Sequence, residues 1–483
     1  SLIQGSLSLF GFRTDLQFGK LKLSGIVSQQ KSERKSLQVE QGSQLQQFDI
    51  PIDQYDENRH FLLTQYNRSQ FNNSLKHLPQ ISSFFSITDI EVWLTNDRQE
   101  TEDVRDIVAL TDLGEHKVLT TFNPFLNDTM TILHPDYTGR VELPNNDANQ
   151  LYHQVAIVDS ANTRPLNRTV NTLTSPPYNL VQTKDFEKVR ARKLRPNVDY
   201  TFHPELGFIS INTSIRADQV VGVAFRYRYN DKIYQVGEFS YEVPINPTNP
   251  NALFVKLLKA TTQNTEVPLW DLMMKNIYSV GAYQANPLDF RLDIFYEDPG
   301  YGQKRFLPDT DLKGVPLLRI FNLDNLNTTG DPQPDGVFDY VDGVTINSRT
   351  GRVMFPVLEP FGEELAKKIN NASFEAKYTY PQLYRTTITR AREYPERNRF
   401  TLKGSYKSSV SSEINLGAFN VPRGSVKVTA GGTVLIEDVD YTIDYGAGKV
   451  TIINKAYLSS GVPVNVSFED NALFSFQQKS MMG

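Results

Sequence analysis

One acidic loop stands out for its chemistry. Asp324, Asn325 and Asn327 are followed by Asp331, Asp335 and Asp339, with Gly330 and Gly336 allowing sharp bends. Closely spaced carboxylate and amide oxygens on a loop are what a calcium ion needs. The spacing lacks the alternating register and terminal glutamate of an EF-hand. The residues therefore read first as an Asx-rich turn between modules and second as a calcium site; no cofactor is expected beyond that second reading. Other chemistry is sparse. The histidines at 60, 77, 116, 134, 153 and 203 never take the spacing of a helical zinc pair. No glycine-flanked serine elbow or phosphate-cradling Gly-Lys-Ser/Thr loop occurs. With no cysteine, thiolate metal sites and disulfides are excluded. The expectation is a protein that is not an enzyme. Tyr384 to Phe400 carries Arg385, Arg390, Arg392, Arg397 and Arg399 interleaved with Glu393 and Glu396. Such mixed signs read as a salt-bridged strand edge rather than a polyanion site.

The elements that would hold these residues are mainly β. A short unit is written three times, most legibly at Val439–Asn454, with a threonine six residues before a glycine: Thr201 and Gly207, Thr345 and Gly351, Thr442 and Gly448. Each glycine supplies the positive φ of a tight turn, and is followed by two inward positions: Ile209 and Ile211, Val353 and Phe355, Val450 and Ile452. Thr138-Gly139-Arg140-Val141 is a weaker fourth match. Uneven spacing of the glycines points to related β-modules with insertions, not a solenoid.

Both ends alternate like barrel strands. Phe10, Phe12, Leu16 and Phe18 share one face, Gly19-Lys20 makes a two-residue turn, and Leu21, Leu23 and Val27 line the returning strand; such a pair could cover a soluble core or face lipid, and the aromatic load of the first four favours lipid slightly. Phe400, Leu402, Gly404 and Tyr406 alternate in the same way, as do Phe474 and Phe476, also assigned to lipid. Between the ends, three helices are expected. The first is capped by Asp56, with Leu62, Tyr66, Phe71, Leu75 and Leu78 on its stripe; Pro79 stops it. Ile90, Val92 and Leu94 then alternate in a strand. The second helix starts near Pro268, presents Trp270, Met273, Met274 and Ile277, and ends before Gly281. The third runs from Pro360 through Phe361, Leu365 and Ile369 to Asn370-Asn371. Proline clusters at 244–250 and 331–334 mark joints.

With 483 residues, the chain has room for several cores. It divides as a barrel-strand hairpin (1–48), an α/β insertion module (49–130), a β-sandwich module (131–245), a helix-containing β module (246–322), a β module with the acidic loop (323–395), and a β module ending in a barrel strand (396–483). The fold class is barrel-type strands at both ends flanking small β-sandwich modules with a few helices. An apolar fraction of 39%, with 23 Tyr and 29 Phe, argues against disorder, and a net charge of −5 supplies no basic field for nucleic acid. No stretch approaches the ~20 apolar residues of a membrane helix, which leaves a β-barrel open. The first residue is serine without a leader after it, as when a signal has been removed or in an internal piece of a longer protein.

Several stretches resemble a known family. The Phe10–Gln30 hairpin, Tyr55-Asp56-Glu57-Asn58-Arg59-His60-Phe61, Ile90-Glu91-Val92-Trp93, the loop from Asp331 to Asp339, and Leu416-Gly417-Ala418-Phe419-Asn420-Val421-Pro422 are similar to the SprA/Sov family. Its members are outer-membrane translocon proteins of the type 9 secretion system and gliding motility in Bacteroidota. Asp128-Thr129-Met130 and Asp159-Ser160-Ala161 also resemble the short O-glycosylation signal of envelope proteins in that group. The resemblance implies an internal fragment, with strands of a very large outer-membrane barrel near its ends and a long insertion, placed outside the cell, capping the pore. Implied partners are a PorV-type shuttle barrel, a plug protein, a peptidyl-prolyl isomerase lipoprotein, and secreted proteins with type 9 C-terminal signal domains. Two other classes compete: a surface adhesin or carbohydrate-binding array of β-sandwiches, and a secreted hydrolase with β accessory modules.

Overall fold

The computed structural model describes residues 9–18, 21–30, 33–39, 45–97, 101–115, 132–133, 140–141, 143–213, 215–245, 248, 250–282, 285–407, 413–416, 418, 421–454, 457 and 463–470. The fold is mainly β, as the sequence implies. Its largest feature is a closed five-stranded barrel. Val221–Tyr229 pairs with Leu253–Lys259, which pairs with Val104–Leu110, then Phe186–Lys193, then Phe85–Thr95, and the last returns to Val221–Tyr229. Closure removes the open edges that a flat sheet would leave. Every residue of Leu253–Lys259 is buried, Lys256 and Lys259 included, so burial along this strand is continuous rather than alternating. The strand at 85–95 behaves likewise in its second half: Val92 and Leu94 are buried as expected, but Glu91 and Trp93 are buried too.

Outside the barrel, the segment from 148 to 180 lays Leu151, Val155, Leu173 and Tyr178 over Val108, Leu110 and Phe254. A second core gathers Ile50, Ile52 and Tyr55 with residues from Tyr278 to Tyr406, and a third holds Ile414 to Phe468. The buried apolar residues thus group across distant segments of the chain.

The three predicted hairpins are present, and each is joined by a third strand. Tyr200–His203 and Phe208–Ile211 take His60–Leu62; Ile346–Asn347 and Arg352–Met354 take Ile277–Ser279; Tyr441–Asp444 and Lys449–Ile452 take Glu413–Asn415. Gly207, Gly351 and Gly448 end their four-residue turns at φ +66°, +61° and +63°. In each unit the glycine carbonyl accepts an N–H from the third strand's continuation, Leu63, Val280 and Leu416 at 3.0, 2.9 and 2.8 Å. Ile209, Ile211, Val353, Phe355, Val450 and Ile452 are all buried. The middle register needs correcting. The hydrogen bonds align Thr345 with Asp199 and Asp440, not with Thr201 and Thr442, because the middle hairpin is shorter. At the weaker fourth match, Ile132–Leu133 pairs with Arg140–Val141, while Thr138 and Gly139 lie outside the described residues.

Several expected elements differ. The first helix is Gln65–Ser74, capped by Thr64, whose side chain accepts the Asn67 N–H; Leu62 belongs to a strand and Asp56 caps nothing. The second is only a 3-10 turn, Pro268–Leu272, followed by the strand Ile277–Ser279. Trp270, Met273, Met274 and Ile277 are buried, but not as a helical stripe. The third is Glu363–Ile369; Asn370 ends it at φ 47°, and Asn371 caps the next helix, Ala372–Tyr378. Residues 384–400 form short helices and a turn, not a strand edge, though Arg385 and Arg392 do form ion pairs with Glu359 and Asp53.

Candidate functional site

The two ends of the described chain meet. Leu9–Phe18 and Leu21–Gln30 pair antiparallel, and Phe18 opposite Leu21 leaves two residues for the turn, as the sequence predicts. The next strand, Glu33–Val39, pairs antiparallel with the last, Val464–Asp470, from Glu33 opposite Asp470 to Val39 opposite Val464. The chain therefore enters and leaves the body of the molecule side by side. The side chains of Phe10, Phe12, Leu16 and Phe18 lie outside the described residues, as do Phe474 and Phe476 altogether. The strand from Phe400 to Lys407 is not lipid-facing. It pairs with Leu45–Pro51 and Arg291–Asp298, and Phe400, Leu402 and Tyr406 are buried in the second core. No helix among the described residues is long and apolar enough to cross a membrane.

The acidic loop spends its oxygens on its own backbone. Buried Asp324 accepts the N–H groups of Asp335 and Gly336 at 2.9 and 3.0 Å. Asp339 returns the arrangement, accepting from Asn325 and Leu326 at 2.6 and 3.1 Å, and burial raises its pKa. Asn327 accepts from Thr329 and Asp331, Asp331 accepts the Thr329 hydroxyl, and Asp335 accepts the Val337 N–H. The six predicted residues thus share one loop, in which Asp324 and Asp339 tie its two ends together and Asn327, Asp331 and Asp335 hold local turns. Among the described residues, no group of three or more His, Cys, Asp or Glu could hold a metal. The loop walls a groove of about 1340 Å³, whose other side is the sheet around Asp49, Arg291 and Lys403.

A polar centre that the sequence analysis missed joins the first two units. Asp56 accepts from Arg352 at 2.6 Å and Arg59 at 3.1 Å, and lies 3.2 Å from Nε2 of His60, whose Nδ1 lies 2.8 Å from the Ser210 hydroxyl. A cavity of about 60 Å³ opens beside His60 and Ser210. Burial alone would raise the Asp56 pKa, but Arg352, the His60 bond and Arg59 outweigh it and hold it well below the usual carboxylate range. Burial lowers the His60 pKa against the pull of Asp56. The order serine, imidazole, carboxylate is that of a nucleophile relay. Here two guanidiniums share the carboxylate with the imidazole, and the group bridges the segment at Asp56–His60 to Ser210 and Arg352 on two hairpins. Ser160 begins a short helix and its hydroxyl donates to the Ile157 carbonyl, while Asp128–Met130 lies outside the described residues.

A loop motif also escaped the sequence reading. At Arg195, Val341 and Ile436, the carbonyl accepts N–H groups from residues three and four ahead, and the N–H donates to the side chain of Asp199, Thr345 or Asp440. Asn197, Gly343 and Asp438 hold the left-handed corner of this loop. Val181 to Phe186 repeats it with Asp185 and Thr183. The signal available was an Asp or Thr four residues after the loop's first residue and directly before an aromatic or isoleucine.

Compared with known proteins, residues 2–235 match a family model described as motility related/secretion protein. No curated protein matches the chain.

Proposed function

We propose that this chain, whose residues 2–235 match a family model described as motility related/secretion protein, is a segment of the outer-membrane protein-conducting channel of type 9 secretion and gliding motility. The observation that carries the finer reading is the pairing of Glu33–Val39 with Val464–Asp470. A body inserted between two strands of a barrel must leave and rejoin the wall at neighbouring points, and side-by-side antiparallel strands supply that geometry. The body between them is then a cap outside the cell. Its work is to cover a wide aqueous lumen and leave a lateral exit for folded cargo, without catalysis. A closed barrel and three stapled β-units suit a rigid cover. Partners of this segment are a PorV-type shuttle barrel, a plug protein, a peptidyl-prolyl isomerase lipoprotein and cargo with type 9 signal domains.

The absence of native cysteine in these residues gives a direct test. A cysteine replacing Leu288, which is 79% exposed, should react in intact cells with a membrane-impermeant maleimide. Labelling only after the outer membrane is broken would overturn the extracellular cap. A full-length reading frame lacking further alternating strands on both flanks would overturn the channel.

A further inference from the structure

The three β-units share one face but treat it differently. The face is made by the first residue of the unit's loop, the residue three positions later, and the residue after the hairpin whose N–H returns to the loop's Asp or Thr carbonyl. In the second unit these are Val341, Val344 and Met354, and all three pack into the core that holds Phe208 and Ile211 of the first unit. That contact is fastened by Arg352 on Asp56. In the first unit the same positions are Arg195, Val198 and Asn212, two of them polar, and they face solvent. In the third unit they are Ile436, Val439 and Ile453, apolar at every position, yet 62%, 63% and 47% exposed. Val434, 54% exposed, lies one residue before the loop's leading Leu435.

The third unit thus carries the composition of the docked unit in the exposure of the undocked one. We propose that Ile436, Val439 and Ile453 are a docking face for a further β-unit of this type on the same polypeptide, which rests on reading the chain as a fragment. The occupant follows from the second unit's use of the face: an aromatic and aliphatic strand surface like that of Phe208 and Ile211. Tethering follows from size. A few side chains fall well short of the roughly 800 Å² per partner that separate proteins bury in a stable complex. A linked unit needs less, because its effective concentration is already high. A second copy fits poorly, since Glu437 and Asp438 flank the face and would meet their like.

A photoreactive residue replacing Val439 in the full-length polypeptide, in its native membranes, tests this. Mass spectrometry of the linked peptide should find a segment of the same polypeptide with an Asp or Thr before an aromatic or isoleucine, then a turn glycine followed by apolar residues. Ile436→Arg with Ile453→Asn, the residues of the first unit, should cut the yield about tenfold or more. The same probe at Val198 should give no such link. The proposal is overturned if Val439 links to nothing, to lipid, to a second copy or to another protein, or if the double variant leaves the yield unchanged. Failure here with Leu288 labelling intact would remove the docking face alone; failure of the labelling would remove the cap and leave the docking result readable.

Discussion

Asp324 is buried with one oxygen on two backbone N–H groups, and Asp339 mirrors it from the other end of the loop. Removing such an acceptor strands its donors at about 1–3 kcal/mol. Asp324→Ala should therefore lower the unfolding free energy by an amount in that range, read from the shift of the urea midpoint, and a chelator should leave both proteins unchanged. A chelator effect that Asp324→Ala abolishes would favour the calcium reading. The residue types of this loop were readable in advance, but the direction of each carboxylate was not: spacing cannot say whether an oxygen turns outward to an ion or inward to an amide. Gly448 was more transparent. Its φ is +63°, and a Cβ there would collide with the carbonyl oxygen of Ala418, whereas one at Gly446 would meet only the Asp444 side chain at 3.5 Å. Gly448→Ala should cost on the order of 2–4 kcal/mol and Gly446→Ala under about 1, read by the same unfolding midpoints. Equal costs would remove the turn assignment.

Among the elements, the residue before each hairpin turn acts as its acceptor: His203 for the Leu206 N–H, Asn347 for Thr350, Asp444 for Gly446 and Ala447. Only the first can titrate near neutrality. Burial lowers the His203 pKa from 6.5 to about 4. The unfolded chain then takes up a proton that the native chain refuses, so stability is full above about pH 6.5 and falls as pH drops toward 4. His203→Asn, the residue of the second unit, should flatten the thermal midpoint over that window relative to wild type. An unchanged slope would place the titration elsewhere. The hairpins could be read because a glycine with alternating neighbours fixes a turn locally. The helix at Pro268 could not. Lys275 Nζ captures the carbonyls of Trp270 and Met273, and the Met274 N–H goes to the distant His60 carbonyl, so the groups a helix would use are engaged by a nearby side chain and by another strand. Leu62 was lost to the first helix in the same way, by pairing with Phe208.

For the molecule as a whole, the inbound and outbound strands decide the reading. Cysteines replacing Ser36 and Ser467, directly opposite in the ladder, should form a disulfide under mild oxidation, seen as a mobility shift that a reductant reverses. Persistent free thiols would dissolve the pairing and with it the insertion geometry. The sequence revealed that the chain is β-rich and segmented, since alternation and turn glycines are local. It concealed the five-stranded barrel, whose strands lie between 85 and 259. Continuously buried stretches such as Val221–Phe225 and Leu253–Leu258, the latter with Lys256 inside it, show no period from which a partner could be chosen.

The ladder between Glu33 and Asp470 also sets how the molecule would yield to force. Both flanking segments leave from the same end of the paired strands, so tension drawing them apart meets one backbone pair at a time, as in peeling a zipper. Tension across the closed barrel would have to shear several ladders together. The weakest mechanical point is therefore the stem, and a strained wall would loosen there while the body above it stays whole.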